Sequence, residues 1–428
     1  MIADQQQGWE QLVQRMQQEV RQLWEGLDGM ESADALETAV QTWQRRAGQQ
    51  VLTALCQEAI QRRERAQKPA CCGRGMDHHS RTWRTVKTLL GDVRVRRRWY
   101  RCLHCRTNRY PADQWLGWRG SFSHGFEEVV AWQSSLLPYP EAVASLEKLG
   151  GLAVSMHAAE RIVARWGKQE LAPAPYAQRV GQELVIQIDG TKAHLEEGWR
   201  EIKVGACFSW DCDPPEQDPK AVSYTADWES AEQFRDTIWQ EAVVRGVTRA
   251  RAVAVVGDGA PWIWELVSHL FPYATQILDW YHLTEHLWAA AKVVHGESSP
   301  GTKALEKSWE SEVWEGRSEG VEEHMRELVE QGRDDRDQTL RKCADYLRTH
   351  QHRIRYHLFR AQGWPVGSGV VEGACKHVIG LRFKRQSTRW TKAGARAVLH
   401  LRLDRLNGRW QQRCHLLRQP QPLLRKAA

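Results

Sequence analysis

Along residues 1–66 the apolar positions recur with helical spacing. Trp9, Val13, Met16, Val20, Leu23, Leu27 and Met30 alternate steps of four and three, which is a heptad seam. Such a seam either pairs with another chain or packs on its own core, and Gly26 and Gly29 interrupt it. Ser32 is placed to cap a second helix carrying Leu36, Val40 and Trp43 on one face. At 67–118 the period changes to two. TVKTLLGDVRVRRRWYRCLHC gives two β-prone runs around Gly91-Asp92, with Val93, Val95, Arg97 and Trp99 on one face and Arg94, Arg96 and Arg98 on the other. Residues 119–172 return to helical spacing. PEAVASLEKLGG ends at Gly150-Gly151, LAVS links, and MHAAERIVARWGKQ follows under a Ser155 cap, which is the layout of a helix–turn–helix. PAPY at 173–176 reads as a linker.

From 183 onward strands and helices alternate. ELVIQID, REIKVGACFSW and KAVSYTADW predict three strands in antiparallel succession, and SAEQFRDTIWQEAVVRG predicts a helix. RAVAVVGD then predicts a buried strand, PWIWELVSHLF a helix, TQILDW a short strand and YHLTEHLWAAAKVV a helix. Three strands, helix, strand, helix, strand is the order of a ribonuclease-H-like sheet. Residues 297–360 are helical and acidic, and GWPVGSGVVEGACKHVIG then leads through a glycine-rich loop into another helix. The expected architecture is multidomain α/β. A helical region at 1–66 with a capacity for oligomerisation precedes a cysteine-bearing β-hairpin at 67–118 and a helix–turn–helix at 119–172. A ribonuclease-H-like mixed sheet follows at 180–296, then an all-α insertion at 297–360, and the core resumes at 361–428 with basic C-terminal helices.

Charge sharpens this picture. The net charge is +7 over 428 residues, but it is unevenly spread. Residues 61–110 hold fifteen Lys/Arg against three acids, and 376–428 hold fourteen against Asp404 alone, whereas 297–345 hold fourteen acids against eight bases. Two basic blocks with interleaved Trp and Tyr fit a protein that grips nucleic-acid phosphate at several points, more than a merely solvated basic surface. No apolar run approaches the roughly 18–20 residues of a membrane span, and the N-terminus has no apolar leader. The expected setting is the bacterial cytoplasm, associated with the nucleoid and not with a membrane. The ten cysteines are then thiols or metal ligands rather than a disulfide framework.

Three carboxylates stand where chemistry could use them. Asp189 ends the first strand in VIQIDGT, Asp258 ends the fourth in VAVVGDGA, and Glu372 opens a helix in GSGVVEGACKH. Breaking and rejoining phosphodiesters asks for two hard cations about 3.5–4 Å apart, held by a few carboxylate oxygens. Singly, each residue has a plainer reading. Asp-Gly is a common turn dipeptide, and Glu372 could be the third residue of a helix capped at Gly369. Together they fall where a ribonuclease-H-like site places its acids. His282, beside the fifth strand's end, could orient a phosphate or a metal-bound water, or simply serve the helix start.

The IDGT strand, the GDGA strand, ILDWYH and the block GSGVVEGACKHVIGLRFKRQSTRW together resemble transposases of the ISKra-type insertion sequences, DDE enzymes distantly related to Mutator-like transposases. The likeness runs over nearly the whole chain. It implies a ribonuclease-H-like core interrupted by a helical insertion, with Asp189, Asp258 and Glu372 holding two Mg²⁺ or Mn²⁺ ions, and an Asp-x-x-His signature at Asp279 and His282. It also implies metal-dependent cleavage at element ends and transfer of the freed 3′ ends into target DNA.

The remaining candidates serve binding. Cys102-x-x-Cys105 with Cys71 and Cys72 could hold one structural Zn²⁺. Adjacent cysteines are awkward co-ligands, Pro69 stands where the family's first cysteine falls, and His78, His79 or His104 are substitutes; reduced buried thiols are the alternative. Arg94, Arg96 and Arg98 on one strand face, Arg161 and Arg165 beside His157, Glu160 and Lys168 on the second helix of the helix–turn–helix, and Arg382, Lys384, Arg385 and Arg389 after Glu372 are candidates for DNA contact. The 22 tryptophans are mostly core, with Trp309 and Trp314 able in principle to stack on an extruded base. Expected partners are double-stranded DNA, both transposon ends and target, and further copies of the chain in a dimer or larger assembly. The rival readings are a non-catalytic DNA-binding protein and a zinc peptidase using His282-x-x-Glu285-His286.

Overall fold

Buried and exposed residues alternate along two long strands near position 90, and that alternation organises the first unit. The structure, a computed structural model, describes residues 2–66, 68–118, 120–173, 183–212, 220–297, 299–331, 336–385 and 389–418. The 173–176 linker lies outside these apart from Pro173. The chain forms two units, Met1–Ile162 with Cys414–Ala428, and Val163–Arg413.

In the first unit, helices α1 (Ile2–Glu25) and α2 (Ala33–Ala66) pack on each other. The heptad seam is shorter than its spacing suggests. The helix stops before Gly26, Leu27 falls in a 3-10 turn, and Trp9 and Val20 are exposed while Leu12 is the buried position. Strands β1 (Ala70–Cys71) and β2 (Arg74–Gly75) form a minimal hairpin. β3 (Asp77–Thr88) and β4 (Gly91–Arg101) pair antiparallel, and β5 (Asn108–Arg109) adds to the end of β4. The turn lies at Leu89-Leu90 rather than Gly91-Asp92. Gly91, at φ +109°, opens β4, and Asp92 already pairs with Lys87. Val93 and Val95 face Cys56 and Ile60 of α2. The free edge of β4 is covered by α2 side chains. Gln49 donates to the Asp92 carbonyl, Gln57 bonds Arg96 N–H and C=O, and Glu64 accepts the Arg98 N–H. These satisfy backbone groups that an open edge would leave for aggregation. Helices α3 (Pro111–Leu116), α4 (His124–Leu136) and α5 (Tyr139–Gly150) follow. Gly151, left-handed at φ +61°, ends α5, and Ser155 accepts the Ala158 N–H to open α6 (Met156–Trp166).

The second unit is built on a mixed sheet. Its strands are β6 (Glu183–Leu195), β7 (Gly198–Trp210), β8 (Lys220–Asp227), β9 (Val253–Gly257) and β10 (Thr275–Leu278), in the spatial order β10-β9-β6-β7-β8. β6, β7 and β8 are antiparallel neighbours; β6, β9 and β10 run parallel. The parallel joins are made through α7 (Ala231–Val244) and α8 (Pro261–Leu270), as parallel strands require. Central strands are buried on both faces: Val185, Ile186, Ile188, Val255 and Val256 are inaccessible to solvent. Helix α7 comes so near the sheet that a Cβ on Gly205 would lie 2.5 Å from Ile238, so glycine there sets the layer spacing.

α9 (Trp280–His295) leads into the helices α10 (Pro300–Trp314), α11 (Ser318–Gln331), α12 (Arg336–Thr349) and α13 (Tyr356–Ala361). Trp309 is buried there, and Trp314 packs on Trp280 with ring centroids 4.6 Å apart, so both tryptophans serve the core. The chain returns through α14 (Gly369–Ala374), a π-helical turn at Cys375–Gly380 and α15 (Leu381–Phe383), then α16 (Lys392–Leu406) and α17 (Trp410–Arg418). The carbonyls of His377 and Val378 in the π turn are taken by the buried guanidinium of Arg402.

Candidate active site

The parallel ladder between β6 and β9 runs from Leu184↔Val253 to Ile188↔Gly257 and stops. Asp189 and Asp258 are the next residue on each strand. Adjacent parallel strands therefore bring together two carboxylates 69 positions apart in sequence. Asp189 is not at a strand end, although its Asp-Gly dipeptide suggests one. β6 continues six residues beyond it, paired with β7 as far as Leu195↔Gly198. The first strand thus ends at Asp189 only on the side that faces β9.

One ligand atom each from Asp189, Asp258 and His282 lies within 4.8 Å of the others. Asp189 Oδ1 accepts its neighbour's amide, Gly190 N–H, at 2.6 Å, and Oδ2 accepts the Cys375 thiol at 3.2 Å. Burial pushes the Asp189 carboxyl up, and the charge of Asp258 pushes the same way; the thiol, the Gly190 amide and His282 pull it down. Asp258 Oδ1 accepts Ala260 N–H at 2.8 Å, and its carbonyl accepts the Trp264 indole at 2.8 Å, which turns the chain into α8. His282 sits in the first turn of α9 with Nδ1 3.7 Å from Glu285.

Asp279 caps α9, as the Asp-x-x-His spacing permits. Oδ2 accepts His282 N–H at 3.0 Å and Oδ1 accepts Ser368 N–H at 2.7 Å, with no solvent exposure. Burial raises its carboxyl and these two amides oppose the rise. Gln187, two positions before Asp189 and almost fully buried, donates to Gly367 O and accepts Val371 N–H, each at 3.0 Å. Both residues clamp the glycine-rich loop onto the sheet.

Glu372 does not join the cluster. Its carboxylate accepts the Ser368 hydroxyl at 2.9 Å, and it stands outside the 4.8 Å group. Ser368, not Gly369, is the capping position, and Glu372 is the fourth helical residue. It remains on the same helical face as Cys375, three residues on, whose thiol reaches Asp189.

Of the basic candidates, Arg94 and Arg96 are exposed and flank the exposed Trp83, with guanidinium carbons 4.6 and 6.0 Å from its ring centre. Arg98 pairs at 3.3 Å with buried Glu64 of α2. Arg161, Arg165, His157, Glu160 and Lys168 are exposed, opposite the buried Ala159, Ile162, Val163 and Trp166. Arg382 is 1% exposed and lies over the Trp390 ring. Lys384 reaches Thr191 on β6 at 2.5 Å, beside Asp189, and Arg385 and Arg389 are exposed.

In the first unit, the sulfurs of Cys71, Cys72, Cys102 and Cys105 all lie within 4.8 Å of one another; His78, His79 and His104 are not among them. The adjacent pair converges because Cys72 takes a left-handed φ of +53°, which turns its side chain back toward Cys71. Arg106, at φ +58°, closes the other knuckle, with its N–H on Cys102 O. Thr107 pulls the Cys105 thiol down to about 6, and Cys105 and Cys71 push Cys72 up to about 12.

A model of an uncharacterised protein family, UPF0236, matches residues 224–419. That span, a little under half of the chain, takes in Asp258, Asp279, His282 and Glu372 but not Asp189. No curated protein matches the chain. No helix among the described residues is long and apolar enough to cross a membrane.

Proposed function

We propose that the protein is a DNA transposase of the ISKra type, cutting phosphodiester bonds at the ends of an insertion sequence and joining the 3′ ends to target DNA. The observation that carries this reading is the convergence of Asp189, Asp258 and His282 where the β6–β9 ladder stops. The strand order β10-β9-β6-β7-β8, antiparallel on one side of β6 and parallel on the other, supports a ribonuclease-H-like core.

The donor set fits a hard divalent cation. Two carboxylates and an imidazole converge, and both the burial that chiefly raises Asp189 and the lesser repulsion from Asp258 are penalties a bound cation offsets. Bound there, Mg²⁺ or Mn²⁺ would supply an activated water and neutralise charge at the phosphate. Asp189 and Asp258 hold the metal, and His282 orients the phosphate. Glu372, on a helix that Gln187 and Asp279 keep against the sheet, would complete the ligand set in place of its bond to the Ser368 hydroxyl. Lys384, with Arg385 and Arg389, grips the DNA backbone. The two strand-face arginines Arg94 and Arg96, with α6, read the ends as a dimer or larger assembly requires. The four cysteines hold one structural Zn²⁺ at the base of the hairpin.

Glu372 outside the cluster is the one observation favouring a non-catalytic DNA-binding descendant. The peptidase reading is disfavoured because His286 packs on Tyr346, with ring centroids 4.2 Å apart, while His282 joins two aspartates. Mg²⁺- or Mn²⁺-dependent nicking of duplexes carrying the element's ends, lost in Asp258→Ala with binding retained, tests the proposal. Binding without nicking by the wild type would favour the inert descendant.

A further inference from the structure

Tyr346 belongs to the acidic helical segment, on α12, yet it stands at the carboxylate site. Its ring lies between His286 of α9 and His350, just past the end of its own helix, with centroids 4.2 and 4.6 Å away. The phenol rests on the backbone just after Asp258. A Cβ added to Gly259 would fall 2.4 Å from the hydroxyl oxygen and 2.3 Å from Cε2. Gly259 is not among the residues with left-handed φ, so the Asp258-Gly259 pair needs its glycine as a seat for this ring. The hydroxyl oxygen is buried and has no hydrogen-bond partner among the described residues. A buried polar atom of this kind calls for a partner, and a bound phosphate oxygen would supply one. Burial, then the charges of Asp258 and Asp279, hold the proton on this phenol, so it keeps a donor to offer near neutral pH.

We propose that the Tyr346 hydroxyl donates a hydrogen bond to a non-bridging oxygen of the DNA phosphate bound at Asp189 and Asp258. The helical segment thereby contributes a catalytic residue to the site. This rests on the reading of those aspartates as the cleavage centre. No bond is made or broken at the phenol; it stabilises charge on the phosphate oxygen as the strand is cut.

The test is Tyr346→Phe, which keeps the ring stack and removes only the oxygen, with Asp258→Ala in parallel. The Phe variant should nick about 100- to 1,000-fold more slowly at saturating DNA, the scale of losing one oxyanion donor. Its affinity for the same duplex in Ca²⁺ should stay within about threefold, since the contact matters most as charge develops. Its melting temperature should equal or exceed that of the wild type, because the hydroxyl has no partner to lose. Wild-type nicking by the Phe variant would overturn the proposal, and so would a lowered melting temperature, which would assign the hydroxyl a structural partner. Should Asp258→Ala nick normally, the reading of the whole site fails. Should Asp258→Ala be inert and Tyr346→Phe fully active, only the role of Tyr346 fails.

Discussion

The carboxylate of Asp279 accepts the backbone N–H of Ser368 at 2.7 Å, in a buried bond that joins positions 89 residues apart. The same carboxylate caps α9 through His282. One side chain thus fixes both the helix that presents His282 and the loop that presents Glu372, and Gln187 holds that loop from the neighbouring strand.

Removing either clamp should therefore cost stability and cleavage together. Asp279→Ala leaves two amides without their acceptor and removes a helix cap, for a predicted loss of about 2–4 kcal/mol. Gln187→Leu strands Val371 N–H and Gly367 C=O and should cost about 2–3 kcal/mol. Urea midpoints measure both. Nicking by the Gln187 variant, assayed where it is still folded, should fall at least tenfold with DNA affinity nearly unchanged. A loss of affinity equal to the loss of rate would show that the loop binds DNA and does not position Glu372.

The two arginine groups separate binding from packing. Arg94→Ala with Arg96→Ala should weaken DNA binding and lower the salt-dependence slope by about two, roughly one for each phosphate no longer neutralised. Arg382→Ala should instead lower the melting temperature, since its guanidinium is buried over Trp390. Equal salt slopes for wild type and the double variant would remove the hairpin from the DNA interface.

The cysteine cluster predicts one zinc per chain after purification without chelator. Cys105→Ser should reduce the content toward zero and destabilise the hairpin, because metal affinity here is folding free energy. Four reduced thiols and no metal, measured by elemental analysis and thiol titration, would leave the alternative of a plain thiol cluster.

Mild acid should destabilise the second unit through its buried histidines. Burial pushes His400, close to Arg396, Arg409 and Arg413, down to about 4. Burial, then Arg353, does the same for His350, which also faces His286 and His352. Between roughly pH 6.5 and 4 the unfolded chain binds protons at these positions that the folded chain refuses. Their contribution is complete above pH 6.5 and falls as pH drops, on the order of 1 kcal/mol per histidine at pH 5.5. Urea midpoints at pH 7.5 and 5.5 should differ less for His400→Asn than for wild type. An unchanged difference would show that His400 is protonated in the fold.

Much of the second unit was legible because its strands are short apolar runs between turn signals, and buried parallel strands have that pattern. Asp189 and Asp258 were legible for the same reason, each following such a run. What could not be read was register and burial. Asp189-Gly190 looks like a turn, but β7 offers a partner beyond it and the strand continues. Arg382 and Lys384 are indistinguishable by composition, and only packing against Trp390 sends one inside. Gln187 carried no signal at all, since a buried glutamine within ELVIQID is one polar residue in an apolar run. Tyr346 was hidden in a segment whose charge pattern speaks only of solvent. The adjacent cysteines looked unfit to share a metal because a left-handed φ at Cys72 is rare outside glycine.

If the convergent aspartates cut DNA as proposed, each should be needed for cleavage and neither for binding. The direct measurement is Mn²⁺-dependent nicking of a labelled duplex containing the element's terminal repeat, by wild type, Asp189→Asn and Asp258→Asn, with duplex affinity measured on the same samples in Ca²⁺. The account predicts cleavage by the wild type, a loss of at least about 10³-fold in each variant, and affinities within a few-fold of one another. Equal cleavage by all three, or tight binding with no cleavage by any, would contradict it.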